Sequence, residues 1–315
     1  MSTANPLSLV ARVVVATCLL MTAMVVQAAA LEYQIKPQQI AKDTYLLQGK
    51  MQDFSRKNGG NIMNTAFVVT SQGVVVFDTG PSLRYGKAMR AAIRQVTDKP
   101  VVHVFNSHQH PDHFLGNQAF AGAKIWALPK TGEQIAQNGG AFSENMYRMV
   151  GDWMRSTEVL LPTAPLDVES LVVGEHRFRF YPFSGHTGAD LVMVDETTGV
   201  MFAADMVFFQ RMLTTPHTPG IGIWSKELTQ LADIPFTLMV PGHGPVVTDS
   251  RAVEQMLGYL DWLDVTLQSA AEQGKSMHEV MQTQLPAELA GINLGPEEFM
   301  RSVVHLYPGY EEAAF

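Results

Sequence analysis

The chain has 315 residues, 46% of them hydrophobic and 17% charged, which is ordinary for a globular protein with a sizeable core and argues against disorder. Its formal net charge is −8, from 22 Lys and Arg against 30 Asp and Glu, and no basic stripe is visible. Nucleic acid is therefore excluded as a partner on electrostatic grounds.

The amino terminus reads as an export signal. "MSTANPLSLVAR" is polar with one cation, Arg12; "VVVATCLLMTAMVV" is an uninterrupted apolar run; "QAAA" supplies small residues. Residues 1–30 are thus expected to be a cleaved secretory signal, and 31–315 the mature domain, periplasmic or secreted. The apolar run is short for a membrane span, so no stable membrane insertion is expected after cleavage. The only cysteine, Cys18, lies in that run, where Thr17 precedes it and argues against a lipoprotein signal. The mature chain has no disulfide framework, and any metal must use His and carboxylate ligands.

In chain order, "NTAFVVT" and "GVVVFDTG" read as a hairpin of buried strands about the turn "SQG". "YGKAMRAAIRQV" carries Met89, Ile93 and Val96 at helical spacing and stops at "DKP". "VVHVFNS" is the next strand and "KIWAL" another. The stretch 133–155 reads as a helix broken at "NGG", with Phe142, Met146, Met149 and Trp153 as its core stripe. "HRFRFYPFSG" and "DLVMVDETTGVMFAAD" form a second set of strands, "TLMVPGHGPVV" ends the series, and 250–273 is a long helix before a short helical tail. The class is α/β, one domain with two sheets inside flanking helices.

The chemistry concentrates in "NSHQHPDHFLGNQAF", where His108, His110, Asp112 and His113 fall within six positions after an apolar strand. A strand ending in His108-Gln-His110 projects both imidazoles to one side, and Pro111 bends Asp112 and His113 toward a second position. "SGHTGAD", "FAADMVF" and "VPGHGPV" add His186, Asp205 and His243, each after an apolar strand and beside small residues. Zinc favours such nitrogen and oxygen donors, while iron and manganese stay open on ligand chemistry alone.

His-x-His-x-Asp-His, then Gly-His-Thr, a strand-end Asp and Gly-His-Gly resembles the metallo-β-lactamase fold superfamily over about residues 40–248. "VVVFDTGPSLRYGKAMRAAI", "TDKPV" and "HPDHFLGNQAF" further resemble the exported quinoprotein relay system zinc metallohydrolases. The resemblance implies a four-layer αβ/βα sandwich with C-terminal helices over 249–315, and two zinc ions. His108, His110 and His186 would hold one, Asp112, His113 and His243 the other, and Asp205 would bridge them. It implies hydrolysis of a small-molecule ester, thioester, lactone or amide by a water shared between the metals, oriented by Asp112 and Asp205. A periplasmic quinoprotein dehydrogenase is the candidate partner.

The chain lacks the cysteine that some β-lactamases place at the Asp205 position, and no basic cluster for glutathione is evident. β-Lactam hydrolysis, iron-dependent persulfide oxidation and a non-enzymatic relay role are the alternatives. Asp78 is expected to support a ligand from behind, or to cap the turn before "TGPS". Asp190 supports His186 or starts its strand. Arg211 is a candidate for a substrate anion, although a solvent-facing arginine is the plainer expectation. His103, His176, His217, His278 and His305 are expected to be structural or exposed.

Overall fold

Runs of buried β-branched residues lay down the first sheet in chain order. The computed structural model describes residues 31–314; the export signal expected at 1–30 lies outside the described residues. Strands β1 (Gln38–Ala41), β2 (Thr44–Leu47), β3 (Thr65–Thr70) and β4 (Gly73–Phe77) form an antiparallel meander. The chain then crosses over through helix α1 (Leu83–Val96), and β5 (Val101–Phe105), β6 (Lys124–Ala127) and β7 (Ala164–Pro165) add in parallel. Ser82 caps α1 by accepting from the Tyr85 amide, and the face carrying Tyr85, Met89, Ala92 and Ile93 is buried.

A one-turn helix, α2 (Pro111–Phe114), follows β5, and α3 (Pro129–Val150) follows β6. The expected break at "NGG" is absent, and α3 runs unbroken for 22 residues. Its two central glycines cost about 1 kcal/mol each in propensity. Packing offsets this: a Cβ on Gly139 would stand only 3.0 Å from Val159 Cγ1, so the helix approaches its neighbour where the side chain is missing. The helix ends instead at Gly151, whose φ of +66° few other residues adopt cheaply.

The second sheet is β8 (Ser170–Val173), β9 (His176–Phe183), β10 (Asp190–Asp195), β11 (Val200–Phe208) and β12 (Leu238–His243), in the order β12-β11-β10-β9-β8. Helix α4 (Ile221–Ala232) connects β11 to the parallel β12. Three helices close the chain: α5 (Arg251–Glu272), α6 (Met277–Met281) and α7 (Gly295–Ala314), the last of 20 residues.

Alternation along the strands gives each sheet two apolar faces. Leu46, Val68, Phe77 and Phe105 meet Phe178, Phe180, Leu191 and Phe202 between the sheets, with Phe77 and Phe202 ring centroids 5.4 Å apart. On the far side of the second sheet, Met201, Val207 and Met239 pack under Trp224 of α4, Leu263 of α5 and Phe299 of α7. On the far side of the first, Phe67, Val74, Val76 and Val104 are equally buried. The layers are helix, sheet, sheet, helix, the αβ/βα sandwich expected. No helix of the described residues is long and apolar enough to cross a membrane.

Candidate metal centre

Strand β5 stops at Phe105, three residues short of the histidines, and the chain continues as a loop to α2. The Asn106 amide still donates to Trp126 O at 2.9 Å, which keeps this exit beside β6. Pro111 then opens α2 with its fixed φ, so that Asp112 and His113 follow within one turn. From the second sheet, His186 sits on the loop after β9 and His243 ends β12.

Asp205 is not at a strand end. It lies inside the nine-residue β11, next to Ala204 with φ +44°, where the register against β12 shifts on both sides of Ala204. Such a bulge re-aims one side chain while the strand continues. Across from it stands Gly242, where a Cβ would come within 1.9 Å of Asp205 Oδ1.

These turns bring all seven residues together at one edge of the two sheets, in two groups. His108, His110, His186 and Asp205 form one; Asp112, His113 and His243 form the other; within each group the donor atoms lie within 4.8 Å of one another. Asp205 Oδ2 is 3.8 Å from His108 Nε2, 3.4 Å from His186 Nε2 and 3.4 Å from His243 Nε2. Its Oδ1 is 3.2 Å from His113 Nε2. One carboxylate thus touches both groups.

The donor set fits cations. All seven side chains are buried, yet His108 Nε2, His113 Nε2 and Asp205 Oδ1 have no hydrogen-bond partner among the described residues. Buried polar atoms are rarely left so, and these converge on shared gaps. Burial, reinforced by neighbouring imidazoles, pushes His108 and His110 well below the usual histidine range, the neutral form that coordination requires. Burial also opposes charge on Asp205 and His113. Their mutual attraction outweighs it, helped by His243 for the one and Asp112 and Asp78 for the other, so Asp205 is held well below and His113 well above their ordinary ranges.

The ring faces turned away from the gaps are anchored. Asp78, itself at φ +59°, accepts from His113 Nδ1 at 2.7 Å, from the Ser107 amide at 2.8 Å and from Ser107 Oγ at 2.7 Å. Ser107 Oγ lies 2.9 Å from His108 Nδ1, so one carboxylate orients two imidazoles. His243 Nδ1 donates to Ile62 O at 2.9 Å, and Asn64 Nδ2 ties the same turn by donating to Pro241 O and Gly244 O. Asp190 holds the His186 loop by its backbone, accepting from the His186 and Thr187 amides at 3.0 and 2.9 Å, and does not touch the ring.

A cavity of about 240 Å³ opens over the two groups. Phe142 and Met149, expected in the core, are half-buried and line it; Met146 and Trp153 are buried as expected. Arg211 is not solvent-facing. It is 2% exposed, donates to Met212 O at 2.7 Å and pairs with Glu298 at 3.1 Å, because α7 folds back over it. Arg301 and His305 of α7 also reach the cavity.

His217 sits in the wall and bonds His110 Nε2 through Nδ1 at 2.8 Å. Its sequence context, "TTPHTPG", carries no ligand pattern, and proline on one side with Pro219 two residues on was the only sign of a rigid loop. His103 accepts from Trp126 Nε1, and His176 is buried against Asp195 at the β8–β9 turn, where Asp43 and Glu175 approach it.

A four-layer αβ/βα sandwich with histidine and aspartate groups at the edge of both sheets defines a class of metal-site enzymes. The chain belongs to the metallo-β-lactamase superfamily, whose sequence profile matches residues 59–243. It is 20% identical over 284 residues to a linear primary-alkylsulfatase of a Pseudomonas species, covering 76% of this chain and 54% of that one. It is 25% identical over 187 residues to metallo-β-lactamase IND-1 of Chryseobacterium indologenes, covering 57% and 71%. The chain thus spans about half the length of the alkylsulfatase. Both relatives are hydrolases. Among solved structures, a metallo-β-lactamase from Pontibacter korlensis superposes with a TM-score of 0.60 at 17% identity, over 72% of this chain and 99% of that one.

Proposed function

We propose that the chain is an exported dinuclear zinc hydrolase acting on an ester, thioester, lactone or amide of a small molecule. The observation that carries this is the contact of Asp205 with both histidine groups, since a carboxylate can serve two cations at once and an imidazole cannot. Two zinc ions held there would supply an acidified water and a Lewis acid for the substrate's carbonyl. The residues do the remainder. His108, His110, His186 and Asp205 would hold one ion, and Asp112, His113 and His243, with Asp205, the other. The Oδ2 atoms of Asp112 and Asp205 lie 3.6 and 3.4 Å from His243 Nε2, so the two carboxylates converge there and would offer acceptors to orient a water. Phe142 and Met149 supply an apolar wall for the substrate's body and restrict bulk water.

The second group, Asp112, His113 and His243, favours this reading over persulfide oxidation at one iron, which would leave those three buried residues without a task. The names of the two relatives make a β-lactam and an alkyl sulfate the first alternatives to an acyl ester. The reading includes a periplasmic location and a link to quinoprotein dehydrogenase metabolism, which rest on the amino-terminal pattern and on the sequence resemblance. The test is metal content of the protein purified from its native compartment, with hydrolysis of a panel of aryl ester, thioester, lactone, β-lactam and alkyl sulfate. Two zinc ions per chain with turnover of one class supports the reading; one iron, or two zinc ions and no turnover of any member, refutes it. Amino-terminal sequencing that finds Met1 intact in membranes refutes export.

A further inference from the structure

His217 lies outside both metal-ligand groups and outside every motif in the sequence, yet it lines the cavity and touches a ligand histidine. His110 turns Nδ1 inward, 2.9 Å from His186 Nε2, and turns Nε2 outward to His217 Nδ1 at 2.8 Å. An imidazole that gives its Nδ1 lone pair to a cation carries its proton on Nε2. His110 is then the donor in this bond, and His217 Nδ1 must be the acceptor. A histidine accepting at Nδ1 bears its own proton at Nε2. The ring lines the cavity, and its hydrogen bond to His110 uses Nδ1, which leaves Nε2 for a ligand there.

The ring is also held in place. Phe142 meets it edge-on at 5.6 Å between centroids, and Thr218 next to it donates to Gly185 O at 2.6 Å, tying this loop to the loop of His186. A fixed donor beside a metal ligand, with its tautomer dictated by that ligand, is preorganised in the sense that stabilises developing charge without reorganisation.

We infer that His217 presents Nε2–H to the substrate as a hydrogen-bond donor, with His110 fixing its tautomer, and so serves both as a rest for a metal ligand and as a substrate-contacting residue. The inference rests on the zinc hydrolase reading. It also bounds the substrate class: the molecule must carry an acceptor, such as a carbonyl, ether or sulfonyl oxygen, next to an apolar portion facing Phe142.

The two roles use different nitrogens, and two substitutions separate them. Asparagine places an amide near the position of Nδ1 and lacks the outer donor; glutamine places its amide nitrogen near Nε2 and loses the contact with His110. In the zinc-loaded protein, His217→Asn should keep zinc affinity within a few-fold and lower kcat on 4-nitrophenyl acetate and on phenyl acetate by about 100-fold, the scale for loss of one preorganised donor. His217→Gln should recover at least about tenfold of that loss while weakening zinc binding by about tenfold in a chelator competition. ¹⁵N NMR of histidine-labelled protein, with the His217 signals assigned by their absence from the variants, should show the Nε2–H tautomer. A proton on Nδ1, or an asparagine variant with undiminished kcat, would overturn the inference. A wild type that turns over neither ester nor any other probe fails the hydrolase reading instead, and the tautomer measurement then decides the donor by itself.

Discussion

Asp205 sets the behaviour of the whole centre because its two oxygens are shared between groups that have no other common ligand. Replacement by Asn keeps the volume and removes the anionic charge and one oxygen donor. Loss of a residue that only supports a ligand costs about 10 to 100-fold in metal affinity or activity, and Asp205→Asn should exceed the upper figure. Asp78→Asn should fall within that range, since the carboxylate accepting from His113 and Ser107 touches no ion itself. Asp190→Asn should lie at or below its lower end, because it secures only a loop backbone. Metal content and ester turnover of the three variants give this ranking; Asp205→Asn with both metals and near-normal turnover would remove the bridging role.

Elements explain why some of this was legible in the sequence and some was not. The ligand cluster could be read because four of its members fall within six positions, and because His186 and His243 each come after an apolar run beside glycine while Asp205 comes after one beside alanine. The bulge at Ala204 could not, since nothing in "FAADMVF" distinguishes a strand that ends at Asp205 from one that kinks and continues. The apolar stripe of α3 correctly marks a buried face, but periodicity does not say whether its rim overhangs a core or a cavity, so Phe142 and Met149 fell on the wrong side. Arg211 and Glu298 are 87 positions apart, and only the return of α7 brings them together.

Two predictions belong to these elements. Gly242→Ala drives a methyl against Asp205 and the Ala204 backbone, at 1.9 and 2.6 Å, and should cost metal content while circular dichroism keeps the native signal. Glu298→Gln leaves Arg211 buried without its counter-ion and should destabilise by about 3–5 kcal/mol in urea, with Arg211→Met in the same chain recovering part of the loss. Equal stability of Glu298→Gln and wild type would show that the pair carries no such weight.

At the scale of the molecule, the centre is a junction. His108, His110, Asp112 and His113 follow strands of the first sheet, whereas His186, Asp205 and His243 belong to the second, so any ion held by either group ties the two halves of the sandwich together. The unfolded chain has no such arrangement, and its ligands are scattered over 136 positions. Metal binding should therefore raise stability by mass action, about 4 kcal/mol when free zinc stands 1,000-fold above its dissociation constant. For a chain of this size that is on the order of 8 °C in Tm. Chelator should lower Tm by about this amount, and the shift should grow with the logarithm of added zinc. In Asp205→Asn the same chelator should move Tm by much less, since less metal is bound to begin with. A wild-type Tm indifferent to chelator and to zinc would mean that the seven residues hold no ion that the fold depends on.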